Sequence, residues 1–314
     1  MEKKVSLRAS NPLAGSQEPD RRACRRSSPP MKILRRLFAT LLAGLLCASA
    51  VAAAAPIEGP VYTVAVVPQF AVVRIYEDWQ PFLAALQKAA GVRLKLLTYP
   101  NIPAFEAAYL KGTPDFVFLN PYDVVVAHQA HDYRPLVHDT KPLSGILVVR
   151  ADSPIHSVKA LDGKKVAFPA PNAFGASLYM RALLERQGVH IQADYVGSHQ
   201  NVYRAVVRGD DVAGGGVAET LSREPEGLRK RLRVIYSTPS TPPHALAANP
   251  RVPPAVALRV QQAVLAMAAR PADQPLLERI QMPHPVKADY ARDYAPLEKL
   301  HLQHFFVRPG QGAR

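Results

Sequence analysis

The 314-residue sequence has very little cysteine: Cys24 and Cys47 are its only two, and both lie within the first 50 residues. Without that segment the chain has no thiol at all. It could then form no disulfide, and it would have no cysteine to bind a metal or to act as a nucleophile. About 260 residues would remain, which is enough for two compact lobes or one large domain.

A long apolar run is also missing. Residues 37–47 are apolar, but this run is too short to span a bilayer comfortably. It follows a basic start at residues 31–36 and precedes a series of small residues, which is the layout of a secretory signal peptide. We therefore expect residues 31–55 to be a cleaved signal and the protein to be periplasmic. Lipid attachment at Cys47 is not favoured, because the bulky Leu46 stands where a small residue is expected.

Dense positive charge is confined to the leader. The whole sequence has a formal net charge of +14, but residues 1–50 hold ten Lys and Arg against three Asp and Glu, so the remainder carries only +7. Residues 1–30 are rich in Arg, Ser and Pro, and we interpret them as a disordered or mis-assigned leader. Beyond residue 50, the only basic block lies at 229–233. This distribution predicts no nucleic-acid partner and a mild preference for anions.

Internal repeats are absent, and strands instead alternate with helices. We predict strands at 62–68, 92–98 and 116–119 and helices at 73–90 and 103–110. This alternation indicates βαβ units and a parallel sheet. Ligands of such sheets bind beyond the carboxyl ends of the strands. Those ends carry polar or aromatic side chains, namely Gln69, Asn101, Asn120 and Tyr122.

A second series of the same kind interrupts the first. We predict strands at 165–168, 194–196 and 212–214 and helices at 174–187 and 201–208, between extended crossings near 134–150 and 232–237. After residue 254 the pattern is helical to about residue 304. The sequence therefore predicts an α/β protein with two lobes, each a mainly parallel sheet flanked by helices, on a two-strand hinge. We place the first lobe at 61–143 and 237–304, the second lobe at 144–236 and a tail at 305–314.

The stretch from residue 152 to residue 177 predicts an anion site. It is typical of a short helix, an Asp-Gly turn, a buried strand and a small-residue loop that opens another helix. Small residues at Ala173 and Gly175 let the backbone approach a ligand closely, and the amides at a helix start favour negative charge. Phe174 could stack on a ligand or pack beneath the helix, and Ser177 supplies the first hydroxyl.

Four further residues are open to more than one interpretation. Asn172 could contact a ligand or cap the helix that follows it. Ser198 and His199 lie at a strand-to-helix junction, where His199 is the candidate ligand contact and Ser198 could equally be a helix cap. Glu219 is either a cleft carboxylate or a first-turn residue that suits the helix dipole.

Metal and enzyme chemistry are not favoured by the sequence. His128 and His131 are spaced so that both could bind a metal from one helix, but their segment is polar and amphipathic, and we predict no metal site. Ser177 lacks the glycine two residues later that a nucleophile elbow would have. We predict a binding protein without a cofactor, and an enzyme that uses Ser177 or His199 is the alternative of a different class.

Seven short phrases give the chain a family resemblance. They are VAVVP at 64–68, WQPFL at 79–83, PDFVFLNP at 114–121, DSPI at 152–155, LDGKKVA at 161–167, PN at 171–172 and GSH at 197–199. As a set they resemble the type II periplasmic solute-binding proteins, and most closely the phosphate, phosphite and phosphonate branch of ABC importer components. The resemblance implies a monomer that closes around one small, anionic ligand and presents it to a membrane permease. A sensor that signals to a membrane histidine kinase is the alternative.

The resemblance is closer for the fold than for the ligand. Family members that hold phosphonates place a Ser-Thr-Ser-Gly run after Pro-Asn, whereas this sequence has Ala-Phe-Gly-Ala at 173–176. The tyrosine expected after the third strand corresponds to Leu119, with Tyr122 close by. Glu219 matches the family's ligand carboxylate only with a one-residue shift, while His199 matches without adjustment. We therefore expect a solute-binding protein whose ligand is held without those hydroxyls.

Overall fold

The computed structural model describes residues 57–308, so the predicted leader and signal peptide and the last six residues of the predicted tail lie outside the described part. The strands, β1 to β11, span Val61–Val66, Arg93–Leu97, Phe116–Leu119, Arg134–Asp139, Gly145–Arg150, Lys165–Phe168, Gln192–Tyr195, Ala213–Val217, Leu232–Ser237, Ala245–Ala248 and Pro285–Lys287. The α-helices span Val72–Ala90, Ile102–Leu110, Pro121–His131, Tyr179–Arg186, His199–Arg208, Ala218–Ser222, Glu226–Arg229, Pro254–Ala268 and Gln274–Arg279. Single π-helical turns occupy Phe174–Leu178 and Tyr290–Tyr294, and 3₁₀ turns occupy Val158–Leu161, Pro271–Asp273, Ala295–Leu300 and Leu302–His304.

The strands form two sheets, one in each lobe. The first sheet has the order β11-β4-β10-β3-β1-β2 and the second has the order β7-β6-β8-β5-β9. The α/β, two-lobed fold class is confirmed. The sheets are mixed rather than mainly parallel, because β1 pairs in parallel with β2 and β3 whereas β10 runs antiparallel to both β3 and β4. In the second sheet β5 is likewise antiparallel to both of its neighbours.

The long helix Val72–Ala90 shows how the sequence pattern sets the core of the first lobe. The apolar side chains that recur at helical spacing, from Ile75 through Trp79 to Leu86, are all buried. Trp79 packs on Phe118 of β3 with ring centroids 4.9 Å apart. The helix ends at Gly91, whose φ of 61° is one that other residues adopt at a cost.

Three consecutive glycines form the middle of β8 in the second lobe. A Cβ at Gly215 would lie 2.0 Å from the carbonyl oxygen of Ala176, and one at Gly216 would lie 2.2 Å from the hydroxyl of Tyr203. Only glycine therefore lets the π-turn and the helix His199–Arg208 pack this closely on the sheet. The glycine run is a buried central strand and not a flexible strand end.

Two extended segments cross between the lobes and pair with each other. Leu143 and Thr241 exchange two backbone hydrogen bonds, each 2.9 Å long. This antiparallel bridge is the two-strand hinge that the sequence predicts. Its presence means that the lobes can rotate about a short, shared segment of backbone.

Two strands were missed by the sequence prediction. The Ala-rich strand β10 has low β-propensity and follows a proline-rich stretch, and β11 lies in the region predicted to be wholly helical. Both are held by pairing with β4, a contact that no local pattern shows. None of the helices within residues 57–308 combines the length and the hydropathy that crossing a bilayer requires.

Candidate functional site

A small, deep cavity lies between the two lobes. Its volume is about 20 Å³. It is lined by Val67, Gln69, Ile102, Asn120, Leu143, Ala173, Phe174, Gly175, Ala176, His199, Val217 and His244. Six of the residues predicted to bind a ligand therefore meet here, although the chain separates the first from the last by 130 residues. Among these lining residues there is no lysine, arginine or carboxylate.

Helix N-termini from both lobes converge on this cavity. Ile102 is the first residue of its helix and Asn120 is the N-cap of the next helix in the first lobe. In the second lobe, Phe174 opens the π-turn that continues into Tyr179–Arg186, and His199 is the first residue of its helix. Each helix start carries a partial positive charge, although Asn101, Asn120 and Ser198 each accept a hydrogen bond from one first-turn amide in three of these helices. The cavity is therefore electropositive without a fixed cation.

The loop predicted to cradle an anion contributes backbone to the cavity. In the described part of the chain, the amides of Phe174, Gly175 and Ala176 have no backbone acceptor, as expected for a first turn. Ser177 is fully buried, and its hydroxyl accepts a hydrogen bond from Nε of Arg181, 3.2 Å away. It lies outside the cavity. Phe174 lines the cavity and also stacks on Tyr179 with ring centroids 5.6 Å apart, so it packs against its own helix while its contact with a ligand stays a prediction.

His199 enters the cavity from the second lobe. Ser198 is the N-cap of its helix and accepts from the amide of Asn201 at 3.2 Å, so the capping interpretation of Ser198 describes the structure. His199 is 3% exposed, and its Nδ1 lies 3.3 Å from the Thr220 hydroxyl. Burial lowers the pKa of His199 to about 4. The imidazole is therefore neutral at pH 7.

His244 faces the same cavity from the first lobe, and sequence reasoning missed it. Its ring stacks on Phe118 with centroids 5.4 Å apart. Its Nε2 is buried and has no hydrogen-bond partner among the described residues. Burial, followed by the influence of His199, lowers the pKa of His244 to about 3.

The topology explains why His244 was missed. The sequence prediction considered only the carboxyl ends of parallel strands. Because β10 is antiparallel to β3, its first residue Ala245 pairs with Leu119, the last residue of β3. The residue that precedes β10 therefore lies at the same sheet edge as Asn120. The one sequence signal for His244 was its position as a polar residue just before a short apolar run.

A second cavity of about 290 Å³ adjoins the first and shares Gln69, Leu143, Val217 and His244 with it. Glu219 lies on its wall and forms ion pairs with Lys141 at 3.1 Å and Arg223 at 3.1 Å. Burial alone would raise the pKa of Glu219, but the hydrogen bonds from these two cations bring it below its ordinary value. Glu219 thus belongs to the mouth of the cleft and is charged there.

Asn172 has a structural partner on each side. Its Nδ2 donates to Oε2 of Glu106 at 2.9 Å and to the carbonyl of Val307 at 2.7 Å, while its Oδ1 accepts from the amide of Val307 at 2.9 Å. The side chain neither lines the cavity nor caps the following helix, whose N-cap is Ala173. Its role is to join the second lobe to a first-lobe helix and to the C-terminal segment.

Two buried carboxyl groups lie behind Asn120. Asp123 accepts from the Tyr109 hydroxyl at 2.9 Å and from Nδ2 of Asn120 at 2.6 Å, and Asn120 in turn accepts from the amide of Asp123. Burial raises the pKa of Asp123 and of Glu106 well above the ordinary range, and for Glu106 the nearby Asp123 adds to the effect. The side chain of Asn120 is therefore committed to this network.

Asn101 and Tyr122 are two more predicted binding residues that lie outside the deep cavity. Asn101 is exposed and caps its helix by accepting from the amide of Ala104 at 2.9 Å. Tyr122 stacks on Phe174 with centroids 6.1 Å apart and lines a wider groove of about 810 Å³ on the first lobe. That groove also carries Gln303 and Phe306 of the C-terminal segment.

The histidines considered for a metal each have another partner. His128 stacks on Tyr290 with ring centroids 3.7 Å apart, and His131 bonds to the carbonyl of Leu110 at 2.7 Å. Within residues 57–308, no group of three or more His, Cys, Asp or Glu residues is placed to hold a metal ion.

Known structures share this fold. A binding protein component of an ABC phosphonate transporter from Pseudomonas aeruginosa is 16% identical with a TM-score of 0.71, covering 79% of this chain and 88% of its own. PhnD1 from Prochlorococcus marinus, solved with methylphosphonate, is 17% identical with a TM-score of 0.69, covering 76% and 96%. A Xanthomonas citri protein bound to chloride ion is 19% identical with a TM-score of 0.65, covering 78% and 98%.

The sequence itself matches one family. No curated protein matches the chain. Residues 64–294 match the model of the family described as "ABC transporter, phosphonate, periplasmic substrate-binding protein". This match covers both sheets, apart from the first three residues of β1, and every residue of the deep cavity. The chain therefore belongs to the family of periplasmic substrate-binding proteins of phosphonate ABC transporters.

Proposed function

We propose that this protein is the periplasmic binding component of an ABC importer and that it holds one small anion in the deep cavity between its lobes. The observation that carries the proposal is the convergence of four helix N-termini, two from each lobe, on a cavity without a carboxylate. Such N-termini attract anions through their amides and dipoles. Because both lobes contribute, an anion at this point would favour the closed form of the protein.

Entry of the ligand requires the lobes to separate. A volume of about 20 Å³ accommodates roughly one water molecule, which is too little for a tetrahedral oxyanion. Rotation about the Leu143–Thr241 bridge would enlarge the space. The adjoining cavity of about 290 Å³ would then serve as the entrance.

Backbone amides would supply most of the hydrogen bonds to the ligand. The Ala-Phe-Gly-Ala loop offers amides but no hydroxyls, and the next hydroxyl along the chain, that of Ser177, accepts a hydrogen bond from Arg181. We infer that the amides of residues 174–176 and the side chain of Gln69 hold the anion. The apolar walls favour a compact anion with few polar substituents.

The experiment is a calorimetric titration of the mature protein with phosphate, methylphosphonate, sulfate and methanesulfonate. We expect at least one of them to bind with 1:1 stoichiometry and to raise the melting temperature. Gln69→Leu should weaken that binding by tenfold or more, about the contribution of one hydrogen bond to a charged group. Gln303→Leu, in the wide groove of the first lobe, is the matched control and should bind normally.

Two results would count against the proposal. If none of the four anions binds, the protein is not a receptor for small oxyanions. If Gln303→Leu weakens binding and Gln69→Leu does not, the anion occupies the groove and not the cleft. Assay of the purified protein for turnover of the bound compound tests the enzymatic alternative.

The partner and location follow from the family. Its members bind small molecules in the periplasm and deliver them to an ABC permease, and the matching family is one of transport proteins, so a sensor role is not favoured. We propose that this protein acts as a monomer, that it is exported by the signal peptide at residues 31–55, and that its partner is such a permease.

A further inference from the structure

We propose that His199 and His244 accept a proton from solvent when an anion enters the cleft, so that binding of the anion is coupled to proton uptake. This inference rests on the proposed function, since it concerns the same cavity. It adds His244 to the binding residues, and it gives the site a preference for low pH.

The first step is the position of the two imidazoles. His199 comes from the second lobe and His244 from the first, and both line the cavity of about 20 Å³. They are 3% and 8% exposed. When the lobes close, an anion at the helix starts would therefore lie against both rings.

The second step is the unused hydrogen-bonding capacity of His244. Its buried Nε2 has no partner in the described part of the chain, although a buried polar atom of this kind is costly to leave unpaired. An imidazole nitrogen that carries a proton can donate to an oxyanion, whereas one without a proton would repel it. Both ring nitrogens carry a proton in the imidazolium, so proton uptake makes this unpaired atom a charge-assisted donor whichever nitrogen holds the proton of the neutral ring.

The residues that line the deep cavity offer a bound anion no cation other than a protonated histidine. The lining of the deep cavity contains no lysine or arginine. At the mouth, Lys141 is paired with Glu219, and Arg223 is held by Glu219 and Asp78. An anion buried without a full compensating charge pays a large desolvation cost that partial helix charges only reduce. A protonated histidine supplies that charge.

Glu106 and Asp123 are other groups near the cavity whose pKa values are raised, to about 9 and about 8, so the His244→Gln variant is needed to separate their proton uptake from that of the imidazoles. Tyr203 lies on the same helix as His199. The mouth of the cleft beside His244 carries Asp139, Lys141, Glu219 and Glu278. Behind Asn120, the buried groups are Glu106, Tyr109 and Asp123. Asp139 accepts from the amides of Lys141 and His284, each at 2.7 Å. Burial holds the pKa of both imidazoles far below 7, and a nearby anion would raise it.

The test uses sulfate and methanesulfonate, which do not titrate between pH 5.5 and 8.5. Each is titrated calorimetrically in buffers of different ionisation enthalpy, so that the number of protons taken up is measured directly. We expect a proton uptake that rises toward one per anion as the pH falls to 5.5, and an affinity that rises by up to about tenfold for each unit of decreasing pH. If only phosphate or methylphosphonate binds, the same measurement is corrected for the ionisation of that ligand.

Variants and a spectroscopic readout complete the test. His244→Gln should bind the anion more weakly and with a smaller pH dependence, whereas the exposed His190→Gln should behave as the unchanged protein. Should His244→Gln fail to fold, the ¹³Cε1 shifts of the histidines in the unchanged protein report protonation on anion addition. Binding without proton uptake overturns this inference and leaves the proposed function intact; absence of anion binding at every pH overturns both.

Discussion

Arg223 of the second lobe donates from Nη2 to the backbone carbonyl of Glu278 in the first lobe, 2.9 Å away. Its Nη1 donates to the carbonyl of Arg279 at 3.0 Å, and the guanidinium lies 5.4 Å from the ring centroid of Phe70. These bonds cross the mouth of the cleft and exist only while the lobes are together. We therefore expect Arg223 to act as a clasp that favours the closed form.

Removal of this clasp should open the cleft. Hydrogen bonds to charged groups contribute about 1.5–3 kcal/mol each, so Arg223→Gln should shift the open-to-closed ratio at least tenfold toward the open form. Small-angle scattering should show a larger radius of gyration for the variant without ligand. Arg208→Gln, which loses an ion pair with Asp210 inside one lobe, is the control and should scatter like the unchanged protein. Identical scattering of all three proteins would contradict the clasp.

Asn172 should matter for stability more than for ligand contact. Asn172→Leu removes three hydrogen bonds, to Glu106 and to both backbone groups of Val307, and should lower the free energy of unfolding by about 2–4 kcal/mol. Urea denaturation measures this loss. Asn201→Ala, which removes one exposed bond to Val196, should cost less than about 1 kcal/mol. A loss of affinity without a loss of stability would instead make Asn172 a binding residue.

Because Glu106 is buried, we expect the free energy of unfolding to decrease as the pH rises. Burial and the neighbouring Asp123 raise the pKa of Glu106 in the folded protein, so the native state keeps a proton that the unfolded chain releases above its ordinary pKa of 4.5. Its contribution is therefore complete at acid pH and is lost as the pH rises toward the folded pKa. Glu106→Gln mimics the protonated form, and it should exceed the unchanged protein in stability at pH 8 by roughly 1 kcal/mol or more.

The measurement is the urea midpoint at several pH values from 5 to 9. The unchanged protein should lose stability across this range, and Glu106→Gln should lose less. Glu58→Gln, near the start of the described chain and exposed, serves as the control. Parallel pH profiles for all three proteins would show that Glu106 is ionised in the folded state.

Gly145 should tolerate no side chain. A Cβ there would lie 1.9 Å from the carbonyl oxygen of Gly175, so Gly145→Ala must push the π-turn away from the sheet. We expect a loss of about 3 kcal/mol or more in the free energy of unfolding. Gly227→Ala, in the helix Glu226–Arg229 with open space around its Cα, should gain up to about 1 kcal/mol. Equal midpoints for the two variants in urea would contradict this packing.

The fold could be predicted from the sequence wherever the environment of a residue depends mainly on its neighbours along the chain. The apolar spacing of Ile75, Trp79 and Phe82 predicted a buried helical face, and the apolar runs of β3 and β6 predicted strands with the bounds that the structure has. The two crossings predicted the hinge because an inserted βα series must leave and re-enter the first lobe. The strand β10 was not predicted, because its four residues are three alanines and one leucine that show no strand pattern and are held by pairing with β3 and β4.

The candidate site was predictable only in part. Gln69, Asn120 and His199 follow or precede strands in the expected way and meet in one cavity. The partners of Asn172 could not be foreseen, since Glu106 and Val307 are 66 and 135 residues away along the chain. The same is true of Glu219, whose charge is taken up by Lys141, 78 residues away.

The sequence by itself determined that this is a two-lobed α/β protein, because strand and helix patterns are local. It also determined that electropositive helix starts lie at the edge of each sheet, because parallel βα units place their helix starts at one edge. Only the tertiary structure decided which side chains face the space between the lobes. Antiparallel pairing of β10 brought His244 opposite His199, and bonds across the lobes committed Asn172 and Glu219 elsewhere. Those choices depend on contacts between distant segments, and the energy of such contacts is fixed only when the chain has folded.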